Sequence, residues 1–461
     1  MTGDAPVAQR CTIVLPSSGA FDSRTWRIAT SLAGRGHDVT VVARLEPGLP
    51  AEQSHPDGYR IVRVPVSAVD GLPRWLRGPV RTLRQGRGRG CGRPSASSGA
   101  QGAAGSASPG GTGPAARRPS DRGPVAGIRA AVAAAVRLVA IGLTVRSQRL
   151  AARSVAPAAD LVHAMAYMGI PVGLDLAARD GAAAIYDARD IYVDAANLAR
   201  LPGPARRLFG RVERRWARRA SRVVTVNEPY AAVMAQRWGV TRPLIVMNCS
   251  PAPAPAGSVA RGRWFHDRLG LAPATRVVLY QGGFSRDRGI EQLLAALPDL
   301  GEDVALVLLG YGALQAELET AAAGQESAGR LFVLPAVPPR ELLEWVGSAD
   351  VVAMPIQPST LNHRLTTPNK LFEAMASGVP VVASDLPGMA GIVRETGCGI
   401  LCDPTSAASI AEAIRSILEA PEAERVAYGE RALAAVRDRY NWEAQMAILL
   451  AEYGRLTGRP W

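Results

Sequence analysis

Val277-Val-Leu-Tyr-Gln-Gly-Gly-Phe-Ser-Arg-Asp-Arg-Gly289 is the stretch that decides the fold. Its first four residues are an unbroken apolar run, Gly282 and Gly283 follow, and a helical pattern begins at Ile290. A strand without a polar face is buried on both sides, and a parallel sheet between two layers of helices buries it that way. The same rhythm recurs at Ala305-Leu-Val-Leu-Leu309, Leu331-Phe-Val-Leu334, Val351-Val-Ala-Met354 and Val379-Pro-Val-Val-Ala383, with helices expected over 290–297, 340–346 and 370–376.

The first half repeats this pattern. Cys11-Thr-Ile-Val-Leu15 runs into Pro16-Ser-Ser-Gly19, a helical pattern covers 26–33, and His37-Asp-Val-Thr-Val-Val-Ala43 is a second strand. The turn at Gly19 fits either a plain tight turn or a loop that brings backbone N–H groups to an anion. Leu161-Val-His163, Ala183-Ala-Ile-Tyr186 and Val223-Val-Thr-Val226 are further buried strands, and the Arg-rich helix over 204–220 is expected to carry a solvated face. The Pro-rich stretch 249–257 reads as a linker. The expected architecture is α/β: two doubly wound Rossmann-like domains facing across a cleft, 1–247 and 248–440. A terminal helix within 441–461 is expected to pack back on the first domain. Ligands of such sheets bind at the carboxyl ends of the strands.

Composition sets outer limits. With 48% apolar residues in 461, wholesale disorder and a multi-span membrane protein are excluded. The formal charge is +13, but 74–153 holds 15 Arg and one acid, Asp121, so the rest of the chain is at −1. A nucleic-acid enzyme carries its positive field on the folded binding face, so no nucleic-acid partner is expected. Within the basic segment, 85–124 is dominated by Gly, Ser, Ala, Pro and Arg, a disordered insertion by composition. The helical stretch 127–153 that follows is too short and too often interrupted by Arg to span a bilayer. It fits both an ordinary packing helix and a basic helix on an anionic membrane surface. The five cysteines are scattered, and 1–10 lacks the apolar run of a signal peptide. A cytoplasmic location is expected, with peripheral contact on the inner face of the membrane as an option.

Three strand-end loops carry polar residues. In the first, Gly282 and Gly283 let a ligand approach the backbone, and Arg288 stands before a helix N-terminus. The second is Leu361-Asn-His-Arg-Leu-Thr-Thr-Pro-Asn-Lys-Leu-Phe-Glu373. There Thr366 or Thr367 is expected to cap a helix with Pro368 in its first turn. Lys370 and Glu373 then share one face, as a nucleotide-sugar cradle or as a plain surface pair. Every other cationic side chain of the 53 is Arg, so the Lys at 370 stands out. The third is His163, an acid/base or hydroxyl-binding candidate at a strand end, or a core histidine. No Asp-x-Asp pair, metal-spaced cluster, nucleophile elbow, Walker loop or GxGxxG occurs.

At these residues the sequence resembles a retaining glycosyltransferase of the GT-B fold, family 4, over nearly the whole chain outside 85–124. Its most specific stretch is Thr367-Pro-Asn-Lys-Leu-Phe-Glu-Ala-Met-Ala-Ser-Gly-Val-Pro-Val-Val-Ala-Ser384, similar to the family's donor-site segment. The Gly-rich loop ending at Gly289, Asp22-Ser-Arg24, Tyr186-Asp-Ala-Arg-Asp190 and Val246-Met-Asn248 are similar to other family signposts. The resemblance implies that Glu373 holds the ribose hydroxyls of a sugar nucleotide and that Arg288 and Lys370 neutralise its diphosphate. It further implies that the backbone over 366–369 (Thr366, Thr367, Pro368, Asn369) meets the distal phosphate and sugar, that Gly19 closes on the diphosphate, and that His163 faces the reacting sugar. Where the family has a second Glu, eight residues before Glu373, this chain has Leu365, which leaves the sugar to Asn362 or His363. Gly283 and Met165 also replace family residues.

The implied reaction moves a sugar with retention, without a metal or other cofactor, from a nucleotide-sugar to a cell-surface glycan or lipid-linked acceptor. Two other readings compete: a non-catalytic GT-B scaffold on a membrane or glycan-synthesis partner, and a GT-B sugar-nucleotide isomerase.

Overall fold

Alternate residues of the second-half strands face two different cores, which is why those strands show no polar face in sequence. In a computed structural model describing residues 8–20, 22–72, 124–252, 262–324 and 329–461, Val277, Leu279, Val307, Leu309, Val352 and Met354 enter one core. Their neighbours Val278, Tyr280, Leu306, Leu308, Val351 and Ala353 enter the other. The period-2 alternation of a strand does this without any polar position. Helices Asn369–Ala376 and Glu422–Asp438 cover the first face through Leu371, Phe372, Met375 and Val436. Helices Ile290–Ala296 and Ala407–Leu418 cover the second through Leu293, Ile410 and Ile414.

The sheet so buried has six parallel strands: β9 (Arg276–Gly283), β10 (Val304–Tyr311), β11 (Leu331–Pro335), β12 (Val351–Met354), β13 (Val381–Ser384) and β14 (Gly399–Cys402). Their order is β11-β10-β9-β12-β13-β14. The chain winds outward from β9 in one direction, then returns to β12 and winds outward in the other. The switch point therefore lies at the carboxyl ends of β9 and β12, where an open α/β sheet binds its ligand.

The other sheet has eight strands: β1 (Arg10–Val14), β2 (Asp38–Arg44), β3 (Glu52–Ser54), β4 (Arg60–Val64), β5 (Leu161–Met165), β6 (Ala183–Asp187), β7 (Arg222–Thr225) and β8 (Leu244–Ile245). Their order is β3-β4-β2-β1-β5-β6-β7-β8, parallel except for the β3–β4 pair. Its switch point lies between β1 and β5, which carry the Gly19 loop and His163. Both doubly wound sheets expected from the sequence are present.

The chain divides into two compact units. The first holds Met1–Thr225, Ala231–Ile245 and Ile448–Trp461; the second holds Val226–Tyr230 and Val246–Ala447. Sequence reasoning did not anticipate that Val226–Tyr230 would join the second. The insertion expected over 85–124 lies, apart from Pro124, outside the described residues, as does most of the linker. The basic helix is longer than its periodicity indicated, Pro124–Val155. Its end packs: Ala152 is fully buried, Gln148 Nε2 donates to the Leu15 carbonyl at 2.9 Å, and Arg149 and Arg153 both reach Asp175. Val132, Val136 and Val139 are exposed. Among the described residues no helix is long and apolar enough to cross a membrane.

Candidate active site

Strand β9 delivers its last residues to the switch point of the second sheet. Gln281 is buried, Gly282 and Gly283 are exposed, and Arg288 is half-buried where the loop turns into the helix Ile290–Ala296. Gly289 makes that turn at φ 83°, and a Cβ there would stand 2.0 Å from the Pro355 carbonyl oxygen, so only glycine fits.

The helix Asn369–Ala376 brings the other half. Lys370 is half-buried, with Nζ 3.7 Å from the centroid of the Tyr280 ring. Burial and the charge of Arg288 push its pKa down to about 7, while Glu373 pulls the other way. Glu373, one turn along, accepts a 2.7 Å hydrogen bond from Gln281 Nε2. Lys370, Arg288, Glu373, Gly282 and Gly283 are thus brought to one place. Two cations and a carboxylate around an open backbone can hold a diphosphate and a hydroxyl-bearing group beside it.

The expected capping of this helix is not found. Its N-cap is Pro368, which makes no side-chain cap bond. The Thr367 hydroxyl instead donates to the Gly388 carbonyl at 2.5 Å and accepts from Asn227 Nδ2 at 3.0 Å. Asn227 Nδ2 also donates to the Leu365 carbonyl at 2.7 Å. Tyr230 Oη stands 2.8 Å from Asn362 Oδ1 and 2.9 Å from the Asn362 carbonyl. Asn362 is buried, with its side chain engaged by Tyr230; Thr366 and Pro368 are half-buried, and Asn369 is exposed. The segment Val226–Tyr230 therefore clamps the loop that leads into Lys370. Asn227 and Tyr230 were missed in the sequence, although Asn227 ends a buried run just as His163 does.

In the first unit Gly19 takes φ 80° in the loop after β1. Asp22 caps the helix Ser23–Ala33, accepting from Thr25 N at 2.8 Å. Two Asp-x-Arg pairs then join crosswise: Arg24 to Asp187 at 2.6 Å with both side chains fully buried, and Arg189 to Asp22 at 2.8 Å. His163 is fully buried, with Nε2 3.0 Å from Asp187 Oδ2 and Nδ1 2.7 Å from Tyr453 Oη. Both ring nitrogens thus have protein partners, and the ring has no exposed surface to turn toward a sugar. Burial alone would raise the Asp187 pKa, but the Arg24 charge and the hydrogen bonds from His163 and Arg24 hold it well below the usual carboxylate range. Among the described residues no cluster of three or more His, Cys, Asp or Glu is placed to hold a metal ion.

Residues 265–434 match the family model for glycosyl transferases group 1. The chain is 31% identical over 227 residues to a D-inositol 3-phosphate glycosyltransferase of Xylanimonas cellulosilytica, covering 48% of this chain and 52% of that protein. It is 26% identical over 257 residues to the 2-deoxystreptamine glucosyltransferase of Streptomyces kanamyceticus, covering 53% of this chain and 63% of that protein. The matches thus span between half and two thirds of these relatives. Among solved structures, a sucrose-phosphate synthase from Thermosynechococcus elongatus superposes with a TM-score of 0.68 at 20% identity, covering 98% of this chain and 99% of that one. Anabaena HepE in complex with UDP superposes with a TM-score of 0.61 at 15% identity, covering 97% and 100%. The chain has the GT-B fold of these structures, and within it residues 265–434 are similar to the group 1 glycosyl transferases.

Proposed function

We propose that this chain is a family 4 glycosyltransferase that moves a hexosyl group, with retention, from a nucleoside-diphosphate sugar to a cell-surface glycan or lipid-linked acceptor. The observation that carries the reading is the meeting of Lys370, Arg288 and Glu373 around Gly282 and Gly283 at the switch point of the second sheet. Breaking the glycosidic bond of such a donor releases a diphosphate, and preorganised cations stabilise the charge that develops on it. Lys370 and Arg288 take that role, with no metal cofactor, and Glu373 accepts hydrogen bonds from the ribose. The loop over 366–369, held by Asn227 and Tyr230, presents its backbone to the distal phosphate and the sugar. Gly19 supplies a backbone approach in the first unit. His163 serves there as a buried partner of Asp187 and Tyr453.

The names of two relatives point to smaller acceptors, an inositol phosphate and 2-deoxystreptamine, and both belong in the acceptor panel. The test is nucleoside diphosphate release from a panel of sugar nucleotides, with and without acceptor. Release that requires acceptor, with the product anomer matching the donor, is the expected result. Interconversion of the sugar nucleotide without acceptor would identify an isomerase, and no turnover despite nucleotide binding would identify a scaffold. The acceptor also decides the localisation: a lipid-linked one requires the enzyme at the membrane, with the Arg of Pro124–Val155 facing anionic lipid.

A further inference from the structure

Gln281 holds a buried polar atom that the proposed chemistry leaves unused. The residue is 3% exposed, at the carboxyl end of β9. Its Nε2 donates to Glu373 Oε2 at 2.7 Å, while its Oε1 is buried without a hydrogen-bond partner. The orientation of the amide follows from chemistry. An ionised carboxylate offers only acceptors, so the NH2 group must turn toward Glu373 and the carbonyl away from it. A buried carbonyl left without a donor is unfavourable, and in a binding site it calls for a donor that arrives with the ligand.

The surroundings narrow what that donor can be. Phosphate oxygens accept hydrogen bonds, so the anion gathered by Lys370 and Arg288 cannot satisfy Oε1. Glu373 is an acceptor too. A hydroxyl group satisfies both, and two acceptors side by side match two neighbouring hydroxyls. We infer that Gln281 is a ligand-binding residue that pairs with Glu373 to recognise the ribose diol of the donor, one hydroxyl donating to Gln281 Oε1 and the other to the Glu373 carboxylate. The Nε2 bond to Glu373 then fixes the carboxylate for its share. This deepens the proposed reading of the same site and rests on it.

The test is calorimetry on the full chain with uridine, guanosine and adenosine diphosphates, followed by the 2′-deoxy and 3′-deoxy forms of the tightest binder. These probes carry no transferred sugar, so any hydroxyl effect comes from the ribose. Wild type should prefer the ribose form over at least one deoxy form by about tenfold, the size of one lost hydrogen bond in a dry site. Gln281→Met, which removes both amide atoms at similar volume, should shrink that preference to about threefold or less with its melting temperature unchanged. Gln281→Leu serves if the Met variant does not fold. Lys370→Met should weaken the ribose and deoxy forms alike. An undiminished ribose preference in the Gln281 variants overturns the inference while leaving the site reading intact. If no nucleoside diphosphate binds wild type, or Lys370→Met binds as wild type does, the site reading fails and takes the inference with it.

Discussion

Lys370 Nζ lies 3.7 Å above the face of Tyr280, so the only lysine of the chain is held by an aromatic quadrupole on the strand that ends in Gly282 and Gly283. The ring attracts the ammonium, and Glu373 supports it, yet burial and Arg288 prevail and bring its pKa to about 7. An ammonium so weakly compensated by its own surroundings gains much from an incoming anion.

Binding of a nucleoside diphosphate should therefore take up a proton. Near and above pH 7 a substantial fraction of Lys370 is neutral in the free protein, and the diphosphate raises its pKa by opposite charge. Affinity should be highest below pH 7. It should then fall by up to about tenfold per pH unit as pH rises from the free pKa toward the bound one, since one proton is linked to binding. Calorimetry in buffers of different ionisation enthalpy would read up to one proton taken up per site at pH 8 and little at pH 6. A pH-independent affinity across this range would remove Lys370 from the diphosphate site.

Turnover should depend on both cations. Lys370→Ala and Arg288→Ala each remove a group aimed at the leaving diphosphate, a loss worth on the order of 2–4 kcal/mol in the transition state. That corresponds to a fall in kcat of about 30-fold to 1000-fold. Near-normal kcat in both variants on the true substrates would sink the assignment.

The parts of this arrangement differ in how plainly they show in the sequence, for physical reasons. The strands of the second sheet are legible because burial on both faces leaves an unbroken apolar run such as 277–280. Lys370 is legible because its chemistry departs from an otherwise all-Arg usage. The crossed pairs are not: Arg24 meets Asp187 and Arg189 meets Asp22 over separations of 163 and 167 residues, which no local spacing encodes. The hydroxyl of Thr367 misleads in the same way, since a distant carbonyl at Gly388 takes the bond that local rules assign to a helix cap. Glu213 is hidden inside a run of arginines whose face reads as solvated, although the side chain itself is buried.

The crossed pairs should be unequal in strength. Arg24→Met strands a fully buried Asp187 carboxylate, and breaking such a pair from one side costs about 3–5 kcal/mol. Asp22 is 11% exposed and keeps its bond from Thr25 N after Arg189→Met, and the Arg189 side chain is itself 27% exposed, so this loss should be smaller, about 1–2 kcal/mol. The double variant Arg24→Met with Asp187→Leu should regain part of the first loss, because no buried carboxylate remains although His163 Nε2 loses its partner. Urea denaturation of the three variants checks the order, and equal losses for Arg24→Met and Arg189→Met would contradict it.

Glu213 should make the protein less stable as pH rises from about 4.5 to about 7. The residue is 1% exposed on the helix Gly203–Arg219 and accepts a 2.8 Å hydrogen bond from Tyr186 Oη. Burial raises its pKa to about 7, against the Tyr186 bond and the charge of Arg237, with Asp194 adding to the rise. The folded form therefore keeps its proton where the unfolded chain has already released it. Between the unfolded pKa near 4.5 and about 7 the native state binds more protons, so stability falls with pH across that window and stays low above it. A glutamine in its place would accept the same bond from Tyr186 and carry no charge. Glu213→Gln should thus match wild type at pH 4 and exceed it at pH 8, by at most about 3 kcal/mol for a shift of this size. Melting temperatures of the two proteins at both pH values measure the difference. A gap that is equal at pH 4 and pH 8 would mean that Glu213 titrates normally in the folded protein, and that the packing of Tyr186 against the helix does not depend on a neutral acid.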